Sequence, residues 1–422
     1  MEDNASYFST STTEPRSDCT PAPPSNARPS GTTRAVGNEA TRRDLVIIAV
    51  LAIAVRLAVI VATAIYTGWS LTDIANLHDG PSYLRVAGGM LDPTAVVAHL
   101  DRRVFIGYPA LIAGAGLAHV PLPIAALAIS WIASAVVAVT AAQLFADRRI
   151  GWALIFFPPS FLIFSSLAMS EATMLALVGV GLYLIMRREW YAAGALALGL
   201  AGLIRPVACF AVIAALAVIG HRWLLERREV RRIHTIQPEF ETKMGREQLR
   251  AGILVSLIAG TVVAAGFLVL HFWRGDALEG VKIYASSEDT FAGQVLSWPF
   301  ASLIMTPLKT PVPLWKVGYV WSYVLFVVVG CILAGRRMWS LRHSEAFDLS
   351  LLAGVWLFGN TIFVLCTGSV WGFHYFDRHI LAAIPALLWT YSDLYPRRWP
   401  PWVGLGALFT IQGFFALLAT ST

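Results

Sequence analysis

The sequence predicts an all-α polytopic membrane protein with about eleven transmembrane helices and external juxtamembrane helices. Of its 422 residues, 57% are hydrophobic and only 14% are charged, whereas a soluble domain carries roughly 25% charged residues. The charges fall in short clusters between apolar runs that are long enough to cross a bilayer. This composition excludes a cytosolic enzyme and a secreted scaffold. The net charge of +6 does not indicate a nucleic-acid partner, because the basic residues lie between apolar segments, where they orient a membrane protein.

Residues 1–43 predict a disordered cytoplasmic tail. Their composition is rich in Ser, Thr, Pro and Asn and offers too little apolar surface to fold. The first apolar run extends from Leu45 to about Tyr66, which is too long and too late for a signal peptide. Residues 44–422 therefore predict one transmembrane domain, in the bacterial plasma membrane or, in a eukaryote, the ER membrane.

Basic clusters predict which loops stay cytoplasmic. They are Arg148–Arg149, Arg187–Arg188, the run from Arg222 through Arg250, Arg336–Arg337 with Arg342, and Arg397–Arg398. Keeping all of them inside predicts spans near 45–66, 122–145, 151–168, 172–186, 191–204, 207–220, 251–273, 317–335, 349–368, 378–395 and 402–419. The stretch from Val104 to His119 is expected to lie in the outer leaflet as a helix. Two external loops result, at about 67–103 and 274–316.

Four ionisable residues fall at predicted outer helix ends: Asp79, Glu171, Arg205 and Arg378. Ionisable groups at membrane depth cost a few kcal/mol, so they usually line a cavity or pair with each other. Two acids and two arginines on one side indicate a site for an anionic lipid head group and a reaction that uses a carboxylate.

Each of these residues also has a structural interpretation. Asp79 could cap the helix that follows it, and Glu171 could stabilise a helix N-terminus through the helix dipole. Arg205 could reach the interface, although Pro206 breaks the helix at that spot. Arg56, in the middle of the first span, could pair with a backbone carbonyl or an acid, or act in catalysis. The histidines have no HxxxH or HExxH spacing, so no zinc site is expected.

Several motifs together resemble the PIG-V family of mannosyltransferases, which belongs to the GT-C class of multi-span glycosyltransferases. They are Asp79-Gly80 followed by Tyr83, Tyr108-Pro109, the stretch from Pro158-Pro159-Ser160 to Met169-Ser170-Glu171, Arg187-Arg188-Glu189-Trp190, and Arg205-Pro206. The resemblance covers roughly Arg56 to Arg205, and more loosely Phe376 to Pro385. Between about 221 and 370 only the topology is similar.

The resemblance implies a GT-C fold and transfer of mannose from a polyprenyl-phosphate donor to a hydroxyl of a glycolipid or glycan acceptor. Asp79 matches the candidate catalytic base, and Glu171 an acid expected to face the same cavity. Arg205 and Arg378 match arginines that would hold the donor phosphate. Met169 stands where the family commonly has a tyrosine, and Phe105-Ile106-Gly107 replaces an aromatic pair, so acceptor contacts are expected to differ. Candidate substrate-binding residues are His78, Tyr83, Tyr108, His379 and Lys309.

The chemistry agrees with this interpretation. A sugar on a lipid phosphate already carries a good leaving group, so the enzyme has to deprotonate the acceptor and stabilise the departing phosphate. Direct displacement would invert the anomeric carbon. The sequence has no Gly-rich nucleotide loop, which favours a lipid-linked donor. No cofactor is firmly expected, although the two acids could hold Mg²⁺ or Mn²⁺.

Two alternatives remain open from the sequence. A secondary transporter would use Asp79 and Glu171 to bind protons or cations, but should show repeated halves with matching broken helices. A GT-C enzyme that transfers arabinose or glucose would carry the same site. Lys309 and Arg103, in the external loops, could also be interfacial anchors.

Overall fold

The computed structural model describes residues 39–92, 94–95, 97–234, 244–279, 282–283, 296–344, 346–368, 370–395, 401, 404, 406–408 and 410–411. The expected disordered tail up to residue 38 and most of the expected span 402–419 lie outside these residues.

Helices are the regular elements of the described chain. They are α1 (Arg42–Thr67), α2 (Leu71–Ala75), α3 (Gly80–Leu91), α4 (Gly107–Leu117), α5 (Leu122–Leu144), α6 (Arg148–Phe156), α7 (Pro159–Ser166), α8 (Ser170–Arg188), α9 (Tyr191–Ile204), α10 (Cys209–His234), α11 (Met244–Arg274), α12 (Ala301–Lys309), α13 (Leu314–Leu341), α14 (Phe347–Leu365), α15 (Val370–His374), α16 (Phe376–His379) and α17 (Ile384–Thr390). Short 3₁₀ helices cover His99–Arg103, Pro206–Ala208, Ile380–Ala383 and Ser392–Leu394.

The multi-pass architecture is confirmed, but the count of eleven spans is not. Seven described helices are long and apolar enough to cross a membrane, and an eighth span results if α6 and α7 form one bent span. The seven are α1, α5, α8, α10, α11, α13 and α14. α4, with 11 residues, and α9, with 14 residues, are shorter than the ~20 residues a straight span needs.

The expected span 151–168 is bent by 69° between α6 and α7. Pro158 and Pro159 interrupt it, because proline cannot donate the backbone hydrogen bond that would continue the helix. Arg56, fully buried on α1, donates to the carbonyls of Leu154 and Ile155 at 3.1 and 2.7 Å. The helix break frees these carbonyls. Of the structural and catalytic roles considered above for Arg56, these contacts support the structural one.

The expected span 378–395 is a chain of short helices rather than one continuous helix. α16, two 3₁₀ turns and α17 follow one another between Phe376 and Leu394, and every side chain of α17 is buried. This segment packs against α13 and α14 and carries Arg378 into the interior. α8 is packed against α5 and α9, and α11 against α9 and α10.

Candidate functional site

Asp79 lies at the start of α3 but does not cap it. Its side chain makes no capping hydrogen bond; instead, Oδ2 accepts from Nη2 of Arg378 at 2.7 Å. Its Oδ1 lies 3.6 Å from Nη2 of Arg103. Gly80 holds this turn close to α2, since a Cβ there would lie 1.9 Å from the carbonyl oxygen of Ala75. The capping interpretation of Asp79 is therefore wrong for its side chain.

Glu171 is the second residue of α8 and its side chain is only 2% exposed. Its Oε1 accepts hydrogen bonds from both Nη1 of Arg205 and Nε of Arg378. Its Oε2 is buried and has no partner among the described residues. The carboxylate is thus an ion-pair partner of two arginines, which goes beyond an effect on the helix dipole.

Two chain breaks place the arginines. α9 ends at Ile204, and Arg205 is extended before Pro206, which directs the chain away from the helix axis. Arg378 lies in α16 and is buried, with its guanidinium 5.3 Å from the ring centroid of Phe164. Stacking on an aromatic ring suits the planar guanidinium group. The structure therefore brings Asp79, Glu171, Arg205 and Arg378 into one cluster, which we call the acid–arginine cluster.

The electrostatics of this cluster favour its charged forms. Burial of Asp79 opposes ionisation, but the charge and hydrogen bond of Arg378 and the charge of Arg103 outweigh it and lower the pKa of Asp79 to about 2. Burial also opposes the charge of Arg378, yet Glu171 and Asp79 raise its pKa well above the usual value. Both ions persist at neutral pH because each compensates the desolvation of the other.

Two tyrosines support the cluster from α3 and α4. The hydroxyl of Tyr83 is 2.8 Å from Oγ of Ser170, the residue before Glu171. The ring of Tyr83 packs edge-on against Tyr108 with centroids 5.0 Å apart. The Tyr108 hydroxyl donates to the Ala126 carbonyl at 2.8 Å. Tyr108 is therefore held by α5, while Tyr83 lies next to the acid.

The remaining expected substrate-binding residues are His78, His379 and Lys309, and they lie in different surroundings. His78 packs edge-on against Phe164 at 5.6 Å, and burial together with Arg378 lowers its pKa. Burial and the charges of Arg205 and Arg378 lower the pKa of His379 to about 3, so both rings are neutral at pH 7. Lys309 is exposed at the end of α12, and the ion pairs of the cluster are made by other residues.

The two acids do not fit a divalent-ion site as they are arranged. Arg378 bridges Asp79 and Glu171, so a guanidinium group occupies the position that a shared cation would need. The described residues contain no group of three or more His, Cys, Asp or Glu side chains that could hold a metal.

Two polar contacts at this side of the protein were not expected from the sequence. Asp377, beside Arg378, accepts a hydrogen bond from the Tyr319 hydroxyl at 2.9 Å, and burial raises the pKa of Asp377. Arg102 approaches Glu279 at 3.2 Å. The only sequence signal for Asp377 is its place in the Phe-Asp-Arg-His motif; no sequence pattern indicated that Arg102 and Glu279 are in contact.

An apolar groove of about 490 Å³ lies between α9, α10 and α11. Pro206, directly after Arg205, lines it, as do Phe105 and Ile106. The remaining lining is Leu198, Gly199, Gly202, Leu203, Cys209, Val212, Ile213, Leu216, Ser256, Ala259, Gly260, Val263, Gly266, Phe267 and Leu270. The lining therefore includes the residue that directly follows Arg205, whose side chain donates to Glu171.

No known family and no curated protein matches this sequence. Among solved structures, the chain is similar to the archaeal oligosaccharyltransferase AglB from Archaeoglobus fulgidus, determined in complex with an inhibitory peptide and a dolichol-phosphate. The identity is 13% and the TM-score is 0.41. The match covers 89% of this chain and 55% of that chain, so this protein spans about half the length of that one.

Proposed function

We propose that this protein is a membrane glycosyltransferase of the GT-C class that transfers a mannosyl residue from a polyprenyl-phosphate donor to an acceptor hydroxyl on the extracytoplasmic side. The observation that carries the proposal is the acid–arginine cluster beside an apolar groove. A carboxylate next to two arginines provides a proton acceptor and an anion site. The groove offers apolar surface to a lipid chain.

Asp79 is the proposed general base. A proton passes from the acceptor hydroxyl to its carboxylate while the acceptor oxygen forms a bond to the anomeric carbon. The bond between that carbon and the phosphate oxygen breaks, and polyprenyl phosphate leaves with the electron pair. The anomeric configuration is inverted by this single displacement.

The ion pair between Asp79 and Arg378 supplies a way to couple donor binding to basicity. With its pKa near 2, Asp79 is a weak base, because catalysis favours a pKa near the working pH. A donor phosphate that draws Arg378 and Arg205 toward itself would remove two of the charges that depress this pKa. The pKa of Asp79 then rises toward its ordinary value, and burial carries it further in the same direction. The base becomes effective only with donor bound.

Glu171 has a different proposed role. It is more deeply buried than Asp79, whose side chain is 28% exposed, and one oxygen already accepts from both arginines. Glu171 therefore orients Arg205 and Arg378 for the phosphate. Its unpartnered Oε2 remains available to a sugar hydroxyl.

The identity of the sugar rests on the resemblance of the sequence motifs to PIG-V enzymes. Purified protein should be incubated with radiolabelled polyprenyl-phosphate mannose, arabinose or glucose and a glycolipid acceptor. We expect label from the mannose donor to appear on the acceptor. Transfer from arabinose or glucose alone would assign another sugar. Binding without covalent transfer from any donor would contradict the enzyme and favour the transporter.

A further inference from the structure

α11 lines the groove with one stripe of residues that ends in an arginine. The stripe consists of Ser256, Ala259, Gly260, Val263, Gly266, Phe267 and Leu270. Helix residues three or four positions apart lie on one face. Arg274 is the last residue of α11 and follows Leu270 by one turn. It therefore continues the apolar stripe at the end of the groove.

The hydrogen-bonding capacity of Arg274 is largely unused. Its Nη1 donates to the carbonyl of Arg102 at 2.6 Å. Its Nε and Nη2 are buried and have no partner among the described residues. A buried guanidinium with two unmatched donors is costly, so this arrangement points to an anionic ligand that completes it.

The residues around Arg274 connect this position to the acid–arginine cluster. Arg102, whose carbonyl binds Arg274, approaches Oε1 of Glu279 at 3.2 Å. The next residue, Arg103, lies 3.6 Å from Asp79. Phe105 and Ile106, just beyond, line the groove. The groove, Arg274 and the proposed base are therefore joined by one short segment.

We propose that Arg274 binds the phosphate of the polyprenyl-phosphate donor, with the polyprenyl chain lying in the groove between α9, α10 and α11. This inference rests on the proposed function and adds a substrate-positioning residue to it. The unmatched Nε and Nη2 donors form the side of the guanidinium fork that pairs with two phosphate oxygens. Arg102, which accepts a hydrogen bond from Arg274, and Arg103, which approaches Asp79, are consecutive residues.

Glu279 opposes this binding. Its Oε2 is buried and has no partner among the described residues, and it lies near enough to Arg274 to interact with its charge. A phosphate at Arg274 therefore meets one carboxylate as well as the cations. Removing the charge of Glu279 should favour the anion, whereas removing the charge of Arg274 should oppose it.

Binding of geranylgeranyl phosphate to the purified full-length protein in detergent tests the head-group contact. Arg274→Gln should weaken binding about tenfold, the effect of losing charge-assisted hydrogen bonds worth roughly 1.4 kcal/mol. Glu279→Gln should strengthen it. Binding of geranylgeraniol, which lacks the phosphate, should be the same in both variants and the parent. The matched control is Arg228→Gln, at an exposed position on α10.

The chain contact has a separate test at Gly260. A Cβ at this groove position meets no atom within 4 Å, so Gly260→Leu fills the groove without a backbone clash. It should weaken binding of geranylgeranyl phosphate and of geranylgeraniol to a similar extent. Gly114→Leu, on α4 and likewise open, is the matched control and should change neither.

The outcomes separate this inference from the proposed function. Parent-like affinity of Arg274→Gln for geranylgeranyl phosphate overturns the inference even if mannosyl transfer is observed. If Arg274→Gln loses affinity for geranylgeraniol and for geranylgeranyl phosphate equally, the inference is also overturned, since the effect of the substitution is then structural. If phosphatidylglycerol competes as effectively for the site as geranylgeranyl phosphate, the groove binds a membrane phospholipid. The assignment of the groove to the donor is then overturned. The expected binding pattern without sugar transfer supports the lipid site while contradicting the transferase.

Discussion

Arg378 donates from Nη2 to Oδ2 of Asp79 at 2.7 Å, although the two residues are 299 positions apart in the chain. The same guanidinium donates from Nε to Glu171. One cation thus holds both acids, and a substrate that competes for this cation changes the charge balance of both.

Asp79→Asn should abolish sugar transfer without weakening donor binding. The amide keeps the shape of the side chain but cannot take the acceptor's proton. Turnover and donor affinity are measured separately, with Asp92→Asn at the exposed end of α3 as the matched control. Near-parental turnover of Asp79→Asn would remove this residue from the role of base.

Glu171→Gln should reduce transfer less than Asp79→Asn but destabilise the protein more. The buried arginines lose their shared carboxylate, and breaking a buried ion pair costs about 3 kcal/mol or more. Thermal unfolding of the two variants in detergent provides the comparison. If transfer falls as far as in Asp79→Asn while the unfolding temperature is unchanged, Glu171 is the better candidate for the base.

Arg205→Gln and Arg378→Gln should weaken donor affinity more than acceptor affinity. Both side chains belong to the cluster that is proposed to receive the phosphate. Arg378→Lys should not restore the parent affinity, because one ammonium group cannot reproduce the two-sided contacts of the guanidinium. The dissociation constant of the donor and the KM of the acceptor are measured for each variant and compared with the parent values. Parent-like donor binding in both glutamine variants would contradict the assignment.

The free energy of unfolding of the protein should fall as the pH is lowered from about 6.5. His379 has a folded pKa of about 3 against an ordinary value of 6.5, so between these values the unfolded chain binds the extra proton and acid favours unfolding. Asp79, with a pKa of about 2 instead of 3.8, adds the same sign below about pH 4. His379→Gln should flatten the decline of the unfolding temperature between pH 6 and 4, whereas His343→Gln, at an exposed position, should not. If the unfolding temperature of His379→Gln declines with pH as steeply as that of the parent, the His379 ring does not cause the decline.

Sequence reasoning could single out the members of the site because ionisable residues are rare in an apolar chain. It could not foresee their pairing, since Arg378 is 207 positions from Glu171 and several partners were available to each. Arg274 was missed because it ends an apolar helix, where an arginine resembles an ordinary interfacial residue. The spacing by three or four positions from Ser256 to Leu270 is visible in the sequence, but only the structure shows that this face of α11 lines a groove.

The number of spans could not be read from hydropathy for a related reason. Apolar length predicts a crossing only when the helix is straight and faces lipid. From Ile380 to Thr390 every residue is buried, and a new short helix begins at Ile384, directly before Pro385. At Pro158 the prolines bend the chain, and Arg56 satisfies the carbonyls exposed by the break.

The side of the membrane that carries the site can be tested by cysteine labelling. The native residues Cys19, Cys209, Cys331 and Cys366 are first replaced. Ser82 is a poor reporter because it is buried and donates to Asp101 at 2.7 Å, whereas Thr94 and Ser344 are exposed.

Thr94 follows α3, whose N-cap position is Asp79, and Ser344 lies after the basic cluster of α13. If that cluster is cytoplasmic, Thr94→Cys should react with an impermeant reagent from outside and Ser344→Cys only after permeabilisation. The converse pattern would place the acid–arginine cluster in the cytoplasm. A base and two arginines there would meet cytoplasmic substrates, and the proposed extracytoplasmic transfer would be wrong even if the cluster binds a lipid phosphate.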